Sequence, residues 1–162
     1  MLKNNIKKGI TLVALVATIM AIIILTTTAV VSYSSFSVNA KKRAFANEIY
    51  TLQKQVEDYK FKNNKYPIGN VKELNISSVD SELVSIFNSN GENIDGNKVT
   101  LYEIDFTKLD LDNLVRGMDK NSNDIYLFSN ESKKVYYIEG EKIENRTYYY
   151  LDSELYESLK LK

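Results

Sequence analysis

The chain has no cysteine, no histidine and no tryptophan, a single proline and only six glycines in 162 residues. Without cysteine there can be no disulfide, thiolate metal ligand, thiol nucleophile or lipidated N-terminal Cys. That absence leaves the compartment open, because an exported domain can do without bridges. Missing histidine excludes Ser-His-Asp and Cys-His chemistry and every imidazole metal site. Acid–base work would have to run on carboxylates, lysine or tyrosine, and no pairing of these stands out. We therefore assign no catalytic residue and read the chain as a non-enzyme. The formal net charge is +0, so the basic excess of a general nucleic-acid binder is also missing.

Charge is absent from one long stretch in particular. No charged residue lies between Lys8 and Lys41, and within that gap residues 10–31 form an apolar run broken only by Thr11, Thr18, Thr26, Thr27 and Thr28. The mean hydropathy of -0.29 thus averages two unlike parts. As a helix, the run would measure roughly 33 Å at about 1.5 Å per residue, against a hydrocarbon core of about 30 Å. A transmembrane helix is predicted there, with no second run of that length after residue 40.

Neither Gly nor Pro occurs between Ile10 and Lys65, so nothing local interrupts a helix. Beyond the serine-rich residues 32–37, Phe45, Ile49, Leu52, Val56 and Tyr59 fall on one stripe. Lys42, Glu48, Lys54, Glu57 and Lys60 are expected on the opposite face. Asn63, Asn64 and Pro67 should end the helix, Pro67 turning Tyr66 away from helical geometry. The stripe predicts packing against a sheet of the same chain.

Residues 66–98 read as a connecting region with one short helix over about 80–87, its Leu83, Val84 and Phe87 facing inward. Turn formers follow at 88–91 and 95–97. Strand-like patterns cover 99–106, 125–128, 134–139 and 143–151, with Gly140-Glu141 as a tight hairpin between the last two. Most of the twelve tyrosines lie after residue 100, as suits a half-buried antiparallel sheet. The fold class expected is α+β, a long N-terminal helix packed against a small antiparallel β-sheet head. Its segments are a basic leader (1–9), the transmembrane helix (10–31), the amphipathic second half of the same helix (32–65), the connecting region (66–98), and the sheet with a C-terminal tail (99–162).

The leader carries Lys3, Lys7 and Lys8, which favour a cytoplasmic N-terminus. Lys41, Lys42 and Arg43 flank the other end, so charge alone leaves orientation open. Lys7-Lys8-Gly9 followed by Ile10-Thr11-Leu12-Val13 resembles the processing site of type IV pilins and type II secretion pseudopilins. The resemblance implies cleavage between Gly9 and Ile10 by a membrane prepilin peptidase, followed by N-methylation of Ile10. It further implies a single-pass cytoplasmic-membrane precursor with its head outside, held in lipid until an assembly platform membrane protein packs it with other pilin or pseudopilin subunits. Thr11 and Leu12 match the family's second and third mature positions. Ala14 departs from it, standing where a glutamate usually neutralises a neighbour's N-terminal ammonium. With that contact missing, a minor, tip-proximal subunit is the expectation, with a major subunit left open because the same Gly-Ile-Thr-Leu-x-Ala-Leu-Val pattern also resembles subunits of low-GC Gram-positive bacteria. The 59–67 junction and the patterns at 102–105, 123–126 and 135–140 also resemble Gram-positive prepilin-type proteins.

Two other readings compete. One is a membrane-tethered extracellular binding or sensor domain that never polymerises. The other is a secreted domain released after Val38-Asn39-Ala40, although the apolar run is longer than the usual 7–15 residues of a signal peptide. Asp119, Asn121, Asn123 and Asp124 offer alternate oxygen ligands, as in a calcium loop. A glycine is missing at the sixth position and Glu131 falls one residue late, so a solvated turn is favoured and no cofactor is expected. Lys41-Lys42-Arg43 can face anionic lipid, a neighbour's acidic residues, or water alone. The tyrosines suit packing better than adhesion to glycans or stacking on DNA.

Overall fold

The computed structural model describes residues 2–109, 111 and 126–160, excluding the side chains of 2–13 and 24–35. It divides into two compact units, Met1–Ala40 and Lys41–Lys162. Helix α1 (Leu2–Asn63) supplies all of the secondary structure of the first unit and the opening element of the second. The expected helix is therefore present, and it begins before Gly9 and Ile10. Gly9 lowers helix propensity by about 1 kcal/mol relative to alanine, yet one such residue does not end the helix. Among the described residues no helix is long and apolar enough to cross a membrane. Much of the run at 10–31, namely 10–13 and 24–31, lies outside the side-chain description.

In the second unit α1 ends as its asparagines require. Asn64 takes a left-handed conformation (φ 55), which asparagine tolerates better than most residues. The stripe is buried: Phe45 is 1% exposed, and Ile49, Leu52 and Val56 are fully enclosed. Glu48 departs from the expected outer face. It is buried and accepts a hydrogen bond from the Tyr126 hydroxyl at 2.8 Å. Hydrophobic spacing fixes which apolar residues face inward, but it does not forbid a carboxylate at the edge of the stripe that has found a donor.

After α1 come β1 (Ile68–Asn75), α2 (Ser81–Ser89), β2 (Ile94–Asp95), β3 (Lys98–Ile104), β4 (Tyr126–Phe128), β5 (Val135–Tyr137), β6 (Glu141–Ile143), β7 (Arg146–Tyr148) and α3 (Ser153–Lys160). The main sheet is antiparallel in the order β1-β3-β4-β5, with β2 also pairing β3; β6 and β7 form a separate hairpin. Both faces of β4 and β5 are covered. Phe45 of α1 meets Tyr137 with ring centres 5.8 Å apart. On the other face, Leu83 and Phe87 of α2 join Val99, Leu101, Leu127, Tyr136 and Tyr149 in one apolar cluster. Every residue of β4 and β5 is consequently buried, which is why their sequences lack polar alternation.

Four expectations are corrected. The region at 66–98 is more than a connection, since it contributes β1 and β2 to the sheet. The strand expected at 99–106 stops at Ile104, and a 3₁₀ turn follows at Phe106–Lys108. The strand expected at 143–151 is broken: Glu144, at φ 56, turns the chain so that Ile143 pairs with Arg146. The last hairpin therefore lies at Glu144-Asn145, whereas Gly140 closes a turn back to the Tyr137 carbonyl at 3.2 Å. Finally, the tail contains α3, capped by Asp152, whose side chain accepts from the Leu155 amide at 2.8 Å.

Candidate functional site

The described part of the N-terminal run is apolar and exposed all round. Residues 14–23 are all exposed, with Leu15, Met20 and Ile22 at 59–60% and Ile19 and Ile23 near half. A helix whose ten successive residues each meet solvent has no inward face among them. The Thr18 hydroxyl donates to the Leu15 carbonyl at 2.8 Å, satisfying itself within the helix. Ala14 presents only a methyl group on this surface. Gly9, Ile10, Thr11, Leu12, Lys3, Lys7 and Lys8 belong to the same helix, and their side chains lie outside the described set.

Asp119, Asn121, Asn123 and Asp124 all lie outside the described residues. Among the described residues no group of three or more acidic, histidine or cysteine side chains is placed to hold a metal. The tyrosines do what packing requires: Tyr126, Tyr136, Tyr137, Tyr148 and Tyr149 are each at most 5% exposed. Their rings meet one another and Phe87, as in Tyr126–Tyr137 at 5.1 Å and Phe87–Tyr136 at 5.2 Å.

Two polar clusters escaped the sequence reading. In the first, buried Glu92 accepts from the Tyr136 hydroxyl at 2.7 Å and from the Ser129 hydroxyl. Asn90 donates to the Tyr136 oxygen at 2.8 Å, and Lys134 donates to Asn90 at 2.6 Å. Burial, with the Glu92 carboxylate beside it, pushes the Tyr136 hydroxyl above its ordinary range. In the second, Glu154 of α3 accepts from Lys42 at 2.6 Å, from Tyr148 at 2.8 Å and from Arg146. Arg146 also reaches Asp152 at 2.7 Å. The Lys42 hydrogen bond, reinforced by Tyr148, holds the Glu154 carboxyl below its ordinary value, and Glu154 raises Lys42 in return. Of the basic triplet, Lys42 is therefore engaged within its own chain. Glu92 sits in a polar turn and Glu154 in a short helix, so neither has spacing to flag it. Both clusters join elements distant in sequence.

Gln53 works similarly on the sheet edge. Its amide donates to the Lys133 carbonyl at 2.6 Å and its oxygen accepts from the Val135 amide at 2.9 Å. The Val135 end of β5 is thereby closed by a side chain of α1, while the Tyr137 amide donates to the Tyr149 carbonyl at 2.7 Å. Compared with known proteins, the chain matches no family model, no curated protein and no solved structure.

Proposed function

We propose that the chain is a structural, non-catalytic subunit of a type IV pilus or pseudopilus-like filament, made as a membrane precursor and cut between Gly9 and Ile10. The observation that carries this reading is the junction Lys7-Lys8-Gly9 before Ile10-Thr11-Leu12, followed in the same helix by an apolar run whose described residues, 14–23, are all exposed. A segment of that kind can rest in lipid and later pack against copies of its neighbours, so one stretch serves anchoring and assembly. The α+β head with its two-faced sheet supports the reading as a self-sufficient module. Because Gly9-Ile10 lies within α1, cleavage there requires local unwinding. Glycine lowers that barrier by weakening the helix at the scissile bond.

Ala14 favours a minor subunit, near the tip, over a major one. A subunit with no copy above it has no ammonium to neutralise, so loss of the carboxylate is tolerated best there. The test is the composition of fibres sheared from cells. The reading expects this chain as a small fraction, absent when the prepilin peptidase is inactive. Fibres made mainly of this chain would overturn the minor role, and its absence from every fibre fraction would favour a tethered head.

A further inference from the structure

The end of α1 carries an unusual conjunction of charge and rings. Residues 59–66 read Tyr-Lys-Phe-Lys-Asn-Asn-Lys-Tyr, with three lysines and no carboxylate in a chain of zero net charge. There the second unit opens a concavity of about 610 Å³ lined by Glu57, Lys60, Phe61, Asn64, Tyr66 and Lys133, within the range of about 300–1,000 Å³ common to ligand sites. Phe61 is 92% exposed, the most exposed large apolar side chain among the described residues. Lys60 and Lys133 bring their ammonium groups to 5.2 and 5.3 Å from the centre of the Tyr66 ring. Lys133 is held there by the carbonyl and side-chain oxygens of Asn130 and takes a left-handed backbone at φ 59. Two positive charges gathered at one ring repel each other, and an anion bound beside them offsets that repulsion.

From this we infer that the concavity is a binding site for an acidic carbohydrate, a pyranose bearing a carboxylate or sulfate. The anion pairs with Lys60 and Lys133, and the apolar face of the sugar ring lies on Phe61. Acceptors complete the site: Glu57 and Asn64, both in its lining, receive sugar hydroxyls. Glu57 makes each added negative charge less favourable, so a ligand with a single anion among hydroxyls suits the site better than a run of phosphates. A nucleic acid also needs successive stacking rings. Here one ring is open, since Tyr66 is engaged by Phe128 at 4.6 Å and by the two lysines.

The site is independent of whether the chain polymerises, and so is its test. The full chain in detergent is titrated with hyaluronan and chondroitin sulfate tetrasaccharides, neutral chitotetraose and a short single-stranded oligonucleotide. Binding of an acidic tetrasaccharide is expected, weakened at least tenfold by Phe61→Ser and by Lys60→Gln combined with Lys133→Asn. Asparagine is chosen because it tolerates the left-handed conformation. Lys54→Gln, on an exposed position of the same helix, should bind like the parent. Phe61→Ser removes a side chain with little buried contact, so its fold is retained. No binding of either acidic sugar overturns the inference. Equal binding of the neutral sugar, or binding unchanged in the variants, overturns it as well, as does tighter binding of the oligonucleotide.

Discussion

Two buried hydrogen bonds converge on Glu92, and removing it strands its partners. Glu92→Ala leaves the Ser129 and Tyr136 hydroxyls without their acceptor. A loss of about 1–3 kcal/mol is expected for each buried group left unsatisfied, read as a lower urea midpoint at unchanged slope. Glu92→Gln keeps an acceptor and should cost less. Glycines separate in the same way. A Cβ on Gly140 would lie 2.5 Å from Thr147 Cγ2 and 2.7 Å from Tyr149 Cε1, whereas one on Gly96 would meet open space. Both have positive φ, so both alanine variants are strained, but Gly140→Ala should lower the melting temperature distinctly further. Titration gives a third test. Glu154 lies below its ordinary 4.5, so its contribution is present above that pH and lost as pH falls through the depressed native value. Tyr136 lies above its ordinary 10.0, so its contribution is present below that pH and lost as pH rises beyond it. Stability should hold level between these windows. Glu154→Gln should flatten the acid decline, and Tyr136→Phe the alkaline one.

At the scale of elements, α1 was the most legible and β1 the least. Uninterrupted helical spacing specified both the helix and its buried stripe. Leu52→Asp or Val56→Asp therefore places an unpaired charge against the sheet and should cost several kcal/mol, roughly the range for burying an unsatisfied charge. Unchanged thermal unfolding of either variant would refute that packing. By contrast, β1 reads Ile-Gly-Asn-Val-Lys-Glu-Leu-Asn, with no alternation and with Ile68 and Val71 diluted by Gly and Asn, because an edge strand pairs through its backbone. Its Lys72 and Glu73 stand opposite Leu101 and Thr100, a placement that only the pairing supplies. The last hairpin was displaced for a related reason. Gly140 is a real turn signal, but the chain also turns at Glu144, a residue type with no preference for positive φ. The helix α3 is short and depends on its Asp152 cap and on Glu154, contacts invisible until Arg146 and Lys42 are brought near. The polar clusters are likewise tertiary products, legible only once the strands are paired.

For the molecule as a whole, the division at Ala40–Lys41 separates what folds by its own packing from what needs surroundings. A chain starting at Lys41 keeps the stripe, both helices and the sheet, and should be a soluble monomer by sedimentation. Ala14→Glu, which restores a carboxylate to the exposed apolar surface, should alter fibre initiation and leave the bulk composition of the fibres to another subunit. The central claim is that the N-terminal junction is processed, and the intact mass of the protein from its native membrane or fibre reads it directly. The account predicts a mature chain beginning at Ile10, with the added mass of one methyl group. A chain beginning at Met1 or at Lys41 would contradict it.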